Sequence, residues 1–314
     1  MQTRRAVGMT EFGGPEVLQV VEVPVAGMGP DDVLIRVTVA AVNPTDAGLR
    51  SGANRDRLTW DPPYVPGMDA AGTIHAVGAA VGGLAVGDHV MAAVAPARPA
   101  GGAYTELLTV PAAQVIETPD GATLEQAATL PMNGLTAKVV HDVADLGPGA
   151  TFGVTGAAGV LGSYAIAIAK HRGLHVVADA APDDAALVSG FGADEVVARG
   201  DDVGDRFRDV TDGGVDALLD AALLHDMALP GIRDGGHLIS IRPFGGTTER
   251  GIRNDLVRVA DHLADRDGLT LIRDLAGSGA IQLRVAGRFP PEQAPDAHRR
   301  FAEGGVRGRF LLTF

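Results

Sequence analysis

The chain has 314 residues, a formal net charge of −13 and no cysteine. The missing thiols exclude disulfides, thiolate nucleophiles and Cys-ligated zinc, and the acid excess argues against nonspecific affinity for nucleic acid or anionic membranes. With 46% hydrophobic and 21% charged residues, and no apolar run near the ~20 residues of a membrane span, the composition is that of a soluble globular protein of about two domains.

The first eight residues carry Arg4 and Arg5 with no apolar stretch behind them, so no signal peptide is expected and the expected compartment is the cytoplasm. Strands are expected over 17–23, 33–42, 70–77, 89–94 and 103–110, where β-branched residues run between Gly, Pro and Asp punctuation. Many short strands of this kind suggest a compact β barrel or sandwich. The pattern changes near Pro119. Helices are expected over 124–130 and 134–144, and then strands and helices alternate. Strands over 150–155, 174–178, 194–197, 215–219 and 236–241 are separated by helices over 160–171, 183–190, 202–210 and 223–230. Such alternation means a parallel doubly wound sheet. A further strand over 252–259 could stand as an exposed edge. The tail holds a helix (269–278), a strand (282–288), a helix (294–303) and a strand (308–314), and is expected to return to the first domain. The expected division is 1–118 with 265–314, and 119–264.

The most specific motif is TFGVTGAAGVLG at 151–162. A strand runs into Gly156, Gly159 and Gly162 and then into a helix. The first glycine permits the turn, the second admits a pyrophosphate, and the third lets the helix pack close to the sheet. Thr155, Gly156, Ala157, Ala158, Gly159, Val160, Leu161 and Gly162 are therefore candidate dinucleotide contacts.

The order of these elements and a series of short motifs resemble the medium-chain dehydrogenase/reductase superfamily, in its zinc-independent quinone oxidoreductase-like branch. The motifs are AVNPTD at 41–46, RSG at 50–52, PYVPGMDAAG at 63–72, VGDHV at 86–90, GGAYTE at 101–106, GLTA at 134–137, GADEVV at 192–197, GVDALLD at 214–220, AHRR at 297–300 and GGVRG at 304–308. The resemblance implies an α/β protein, with an N-terminal GroES-like β-barrel domain and a doubly wound Rossmann nucleotide-binding domain. It also implies a homodimer built through the edge strand of the nucleotide domain.

In the zinc-using sister branch, three ligands hold a catalytic metal. The matching positions here are Asn43, Met68 and Asn133, none a good zinc ligand, and the Cys-rich structural-zinc loop is missing. The resemblance thus implies chemistry without zinc.

An acid about 20 residues past the glycines normally binds the ribose and selects NAD, and Asp179 stands near that place. Set against the family, the selective position is Ala180, whose small side chain leaves room for a 2′-phosphate. Arg199 would supply a planar charge for that phosphate. NADPH is therefore expected over NADH, although Asp179, Asp183 and Asp184 oppose it.

By family position, Asn43, Thr45, Tyr64, Met68, Met132, Asn133 and Phe244 are expected at the nicotinamide and substrate, with Thr136 and Ile241 beside the cofactor. The implied reaction is hydride transfer to an activated alkene or quinone. Asn43, Thr45 or a backbone N–H would stabilise the enolate oxygen, with solvent or Tyr64 as proton source. Asn43 could instead be only a helix cap, and Tyr64 only a packing residue. The tyrosines that some quinone reductases carry in this region are replaced by Gly48 and Asn54. Two alternatives stay open. One is an enoyl-thioester reductase of a biosynthetic pathway, for which Arg50, Arg55 and Arg57 would form a basic rim. The other is a weakly catalytic NADPH-binding regulatory or structural protein.

Overall fold

The computed structural model describes residues 2–53 and 55–314. The chain forms two compact units. One takes the chain through Met132 together with Leu263–Gly277 and Leu283–Phe314; the other takes Asn133–His262 and Ser278–Gln282. The chain thus passes from one to the other inside a helix, later than the composition change at Pro119 marks.

The first unit is mostly antiparallel sheet. Its elements are β1 (Thr3–Gly8), β2 (Gln19–Pro24), β3 (Asp32–Ala41), α1 (Pro44–Arg50), β4 (Asp69–Val77), β5 (His89–Ala93), β6 (Leu107–Pro111), β7 (Val115–Glu117), α2 (Leu124–Ala127) and the start of α3 (Pro131–Ala144). β1 and β2 pair as a two-stranded ribbon, while β3, β4, β5 and β7 are consecutive in the main sheet and β6 pairs with β3. β3 alternates Val33, Ile35, Val37 into a core shared with Ile74, Val90, Leu108 and Tyr104. The strand expected over 103–110 begins only at Leu107. Residues before it close onto another loop instead, Ala103 and Tyr104 donating to Gly67 O and Pro66 O.

The second unit holds the alternating segment. β8 (Thr151–Thr155), α4 (Val160–His171), β9 (His175–Ala180), α5 (Ala185–Gly190), β10 (Glu195–Ala198), α6 (Val203–Asp209), β11 (Val215–Asp220), β12 (Ile232–Ser240) and β13 (Arg253–Leu256) follow in order. The strands lie as β10-β9-β8-β11-β12-β13, with every pairing parallel. This is the doubly wound order, whose switch point falls between β8 and β11. Val177, Phe207, Leu218, Ile232 and Leu238 form part of its core. The helix expected over 223–230 is instead 3-10 structure over His225–Gly231 with Pro230 inside it, because proline supplies no backbone donor for an α-helical ladder. The expected edge strand over 252–259 shortens to the four exposed residues of β13.

The tail supplies α7 (Arg266–Gly277), β14 (Val285–Phe289), α8 (Ala294–Ala302) and β15 (Arg309–Thr313). β15 pairs with β3, and β14 pairs with β15, so the end of the chain completes the first unit's sheet. Among the described residues, no helix is long and apolar enough to cross a membrane.

Candidate active site

The glycine loop leaves β8 at Gly156, whose φ of +67° favours glycine. A Cβ on Gly162 would lie 2.6 Å from Gly156 O and 2.7 Å from Ala157 Cα, so only glycine lets α4 approach this closely. α4 begins at Gly159 without a side-chain cap. An uncapped helix start beyond a tight glycine turn is the arrangement that accepts a phosphate. Gly156 through Gly162 therefore fit a dinucleotide pyrophosphate by shape and by dipole.

Asp179 is buried at 5% exposure, and its Oδ1 accepts the Ala157 N–H at 3.2 Å. Burial pushes its carboxyl up, against the loop amides and Arg199, which pull it down. The carboxylate is thus turned onto the glycine loop. Ala180 follows at 4% exposure, and the Arg199 backbone N–H donates to Ala180 O at 2.9 Å. The Arg199 side chain is exposed and makes no hydrogen bond or ion pair among the described residues.

Thr155 is fully buried and its hydroxyl is occupied. It donates to Asp220 Oδ1 at 2.8 Å and accepts the Ala222 N–H at 3.2 Å. Asp220 also accepts the N–H groups of Leu224 and His225 at 2.9 and 2.8 Å. Together they hold a loop in which Leu223 and His225 take left-handed φ values of +58° and +54°, the kind of strain that clusters at ligand sites. Phe244 stacks on His225 with ring centroids 5.8 Å apart. Asn133 and Thr136 are buried in α3, and Ile241 is half-buried just past β12.

In the first unit, Asn43 caps α1. Its backbone N–H donates to Asp46 Oδ2 at 2.8 Å, and Pro44 takes the first helical position. The Asn43 side-chain amide donates to Asp69 Oδ2 at 2.7 Å and to Ala41 O at 3.4 Å. Asp69 Oδ1 accepts the Met132 N–H at 2.6 Å. Asp46 accepts the Gly67 N–H at 3.1 Å and the Tyr104 hydroxyl at 3.0 Å. Since that hydroxyl donates to Asp46, His298 Nε2, 3.1 Å away, carries the hydrogen and donates to Tyr104. Burial dominates every titration here. It raises Asp46 to about 6 and Asp69 to about 7, and lowers His298 to about 3.

Thr45 stands apart from this network. Its Oγ1 is buried and has no hydrogen-bond partner, a condition native folds seldom leave unexplained. Tyr64 is half-buried and its hydroxyl donates to Trp60 O at 3.0 Å. Met68 is buried just before β4, and Met132 contributes its backbone to Asp69. Of the three arginines expected as a basic rim, Arg55 and Arg57 are exposed but Arg50 is buried at 9% exposure. Gly48 lies in α1; Asn54 falls outside the described residues.

Sequence reasoning missed Asp69, Tyr104, His298 and Asp220. Asp69 and Asp220 carried a signal, since each is a carboxylate set in an apolar strand (MDAAG and DALLD). An acid there must find buried donors. Tyr104 and His298 had none, because only the tail's return brings α8 to the loop before β6.

The donor set does not suit zinc. Asn43 offers an amide already turned to Asp69, Met68 a thioether, and Asn133 an amide. Among the described residues, no group of three or more His, Cys, Asp or Glu could hold a metal ion.

Residues 29–120 match the model of the alcohol dehydrogenase GroES-like domain, and residues 191–312 match that of the zinc-binding dehydrogenases. An NADPH-dependent alkenal/one oxidoreductase of Arabidopsis thaliana chloroplasts is 32% identical, over 96% of this chain and 78% of its own. A chloroplast envelope quinone oxidoreductase homolog of the same plant is 25% identical over 96% and 95%. Among solved structures, a mycobacterial protein in complex with NADPH superposes with a TM-score of 0.85 at 28% identity, covering 99% of this chain and 100% of that one. The glycine loop, the doubly wound sheet and these similarities together assign a nicotinamide cofactor and an oxidoreductase lineage. The chain belongs to the medium-chain dehydrogenase/reductase superfamily, in its quinone oxidoreductase-like branch.

Proposed function

We propose that the protein is an NADPH-dependent, zinc-independent reductase of α,β-unsaturated carbonyls or quinones. The observation that carries this reading is the buried, unpartnered hydroxyl of Thr45. A carbonyl oxygen of a substrate would accept its hydrogen, and that bond strengthens as the oxygen gains enolate charge. The glycine loop from Gly156 to Gly162 would hold the nicotinamide dinucleotide, which would supply hydride chemistry for an enone's β-carbon, and solvent would provide the proton for the α-carbon.

The chain's own residues divide the work. Asn43 spends its amide on Asp69 and Ala41 and so acts as a positioning residue, fixing the start of α1 and with it Thr45. Tyr64 gives its hydroxyl hydrogen to Trp60 O, which favours solvent over Tyr64 as the proton source. NADPH over NADH is supported by Asp179 being engaged with the loop, by the small Ala180, and by the unpaired Arg199 guanidinium. The zinc-independent reading rests on the amide and thioether donor set. We also infer a homodimer paired through β13, which ends the sheet with one side unpaired.

The test is steady-state oxidation of NADPH with a panel of enones and quinones, with the organic product identified. Formation of the saturated ketone or hydroquinone, unaffected by chelators, supports the reading. NADPH binding without turnover of any panel member defeats it.

A further inference from the structure

The 3-10 structure over His225–Gly231 holds Pro230 and leaves carbonyls at its end without intrahelical donors. Two arginines answer them. Arg208, near the end of α6, donates from Nε to Pro230 O at 2.7 Å and from Nη2 to Ile232 O at 2.9 Å. Arg250, in the crossover from β12 to β13, donates from Nη2 to Leu229 O at 2.6 Å and from Nη1 to the same Ile232 O at 2.7 Å. Two guanidiniums thus meet at one carbonyl oxygen, each fixed by backbone. Arg250 takes a left-handed φ of +56°, a conformation that side chains rarely adopt and that clusters at ligand sites.

Like charges this close repel, and one carboxylate offsets them. Asp234 accepts from Arg250 Nη1 at 2.9 Å, with its own side chain 78% exposed. An ion pair so open to water is worth little, so another carboxylate can take its place. Each guanidinium keeps N–H groups that make no hydrogen bond among the described residues.

Both arginines line a cleft of about 530 Å³. Leu229, Pro230 and Ile252 give it an apolar wall, the last only 4% exposed. Asp226 and Glu249 also line it, and both are exposed. The whole cleft belongs to the second unit. Ile232 pairs with Val215 at the start of β11, whereas Asp220 ends that strand beside Thr155 and the glycine loop. Those two ends are ~16 Å apart at the rise of a strand. The arginines therefore stand away from the dinucleotide crevice, which lies at the carboxyl ends of the strands.

We infer that this cleft binds an aliphatic monocarboxylate, its carboxylate on Arg208 and Arg250 in place of Asp234, its chain against Leu229, Pro230 and Ile252. A planar carboxylate matches the guanidinium fork, and a hydrocarbon chain gains by leaving water for the apolar wall. The acids select the ligand's charge. Asp226, Asp234 and Glu249 outnumber the two arginines, so a phosphate dianion is repelled more than a single carboxylate. This site stands independently of the reductase reading, since no residue of the crevice takes part.

Isothermal titration calorimetry of the full-length protein with hexanoate, acetate, 1-hexanol and hexyl phosphate tests it. Hexanoate should bind saturably. Acetate lacks the chain and hexanol lacks the charge, and each should bind at least about tenfold more weakly. Hexyl phosphate should also bind more weakly than hexanoate. Two variants act in opposite directions, each checked for folding by circular dichroism. Arg250→Gln removes half of the carboxylate's seat and should weaken hexanoate about tenfold. Asp234→Asn removes the competing carboxylate and should strengthen hexanoate about threefold. Arginines that only cap carbonyls would give no such strengthening. Saturating NADPH should leave hexanoate affinity unchanged.

Hexanoate binding no tighter than hexanol, or unmoved by both variants in a folded protein, overturns the assignment. Loss of hexanoate on adding NADPH also overturns it, because the carboxylate would then sit in the dinucleotide crevice. Hexyl phosphate binding more tightly than hexanoate overturns the monocarboxylate class.

Discussion

The side-chain amide of Asn43 donates to the carboxylate of Asp69 across 2.7 Å, and both residues are fully buried. This pair separates two roles that the sequence offers together. Asn43 holds the start of α1, and Thr45, two residues on, keeps a hydroxyl with nothing to bond. Thr45→Val removes that donor while keeping the shape. It should lower kcat for enone reduction by roughly 10²-fold with little change in NADPH affinity, and Thr45→Ser should retain most of the rate. Kinetics that separate kcat from KM decide it. A Thr45→Val enzyme as fast as wild type would remove Thr45 from the chemistry.

Arg199 and Asp179 make opposite predictions about the cofactor. Arg199→Ala should weaken NADPH binding about tenfold, the worth of one lost charged contact, and leave NADH unchanged. Asp179→Ala frees the glycine-loop amide of Ala157 and should weaken both cofactors together. Fluorescence titrations of the two variants against both nucleotides give the comparison. NADPH affinity unmoved by Arg199→Ala would count against the 2′-phosphate contact.

Gly162 tests the glycine loop by volume alone. In Gly162→Val the added Cβ meets backbone atoms at 2.6 and 2.7 Å, which cannot move as a side-chain tip would. The variant should lose measurable nucleotide binding and about 2 kcal/mol of stability. Calorimetry and a denaturant titration read the two effects. Full binding in that variant would mean that the close approach of α4 is not what shapes the site.

The sequence carried the large features for physical reasons. The period change near Pro119, the β-branched runs and the glycine spacing each follow from local sterics, and α4 has the expected bounds. β1 was not legible, since TRRAVG is short and charged. Its strand exists because β2 pairs with it and because Arg4 reaches the carbonyls of Leu107 and Ala100. Within the site, Asn43 and Thr45 were named together, but which of them keeps a free donor depends on Asp69, twenty-six residues away. Phe12 stacks on Tyr64, joining segments that no periodicity connects.

The buried acids set a pH dependence. Asp69, raised to about 7, contributes stability when protonated; that contribution is full below its unfolded value and is lost as pH rises through about 7. Asp46, raised to about 6, acts in the same direction at lower pH. His298 and His141 are lowered to about 3 and about 4, and they withdraw stability as pH falls below the ordinary histidine range. Between pH 8 and pH 6.5 the two effects nearly cancel, the acids adding about 1 kcal/mol and the two histidines removing almost as much, so wild-type stability should stay level. Asp69→Asn removes the larger acid contribution, and that variant should lose about 0.6 kcal/mol over the same interval, as denaturant titrations at the two pH values would read. An Asp69→Asn variant that follows the wild type over that interval would contradict the buried-acid account.

The most direct single measurement is a paired titration of NADPH and NADH, followed by addition of an enone to each complex while cofactor absorbance is recorded. The account expects NADPH to bind about tenfold or more tightly. Its absorbance should fall only after the enone is added, one cofactor consumed per saturated ketone formed. NADH preference, or a stable NADPH complex that no enone or quinone oxidises, would contradict it.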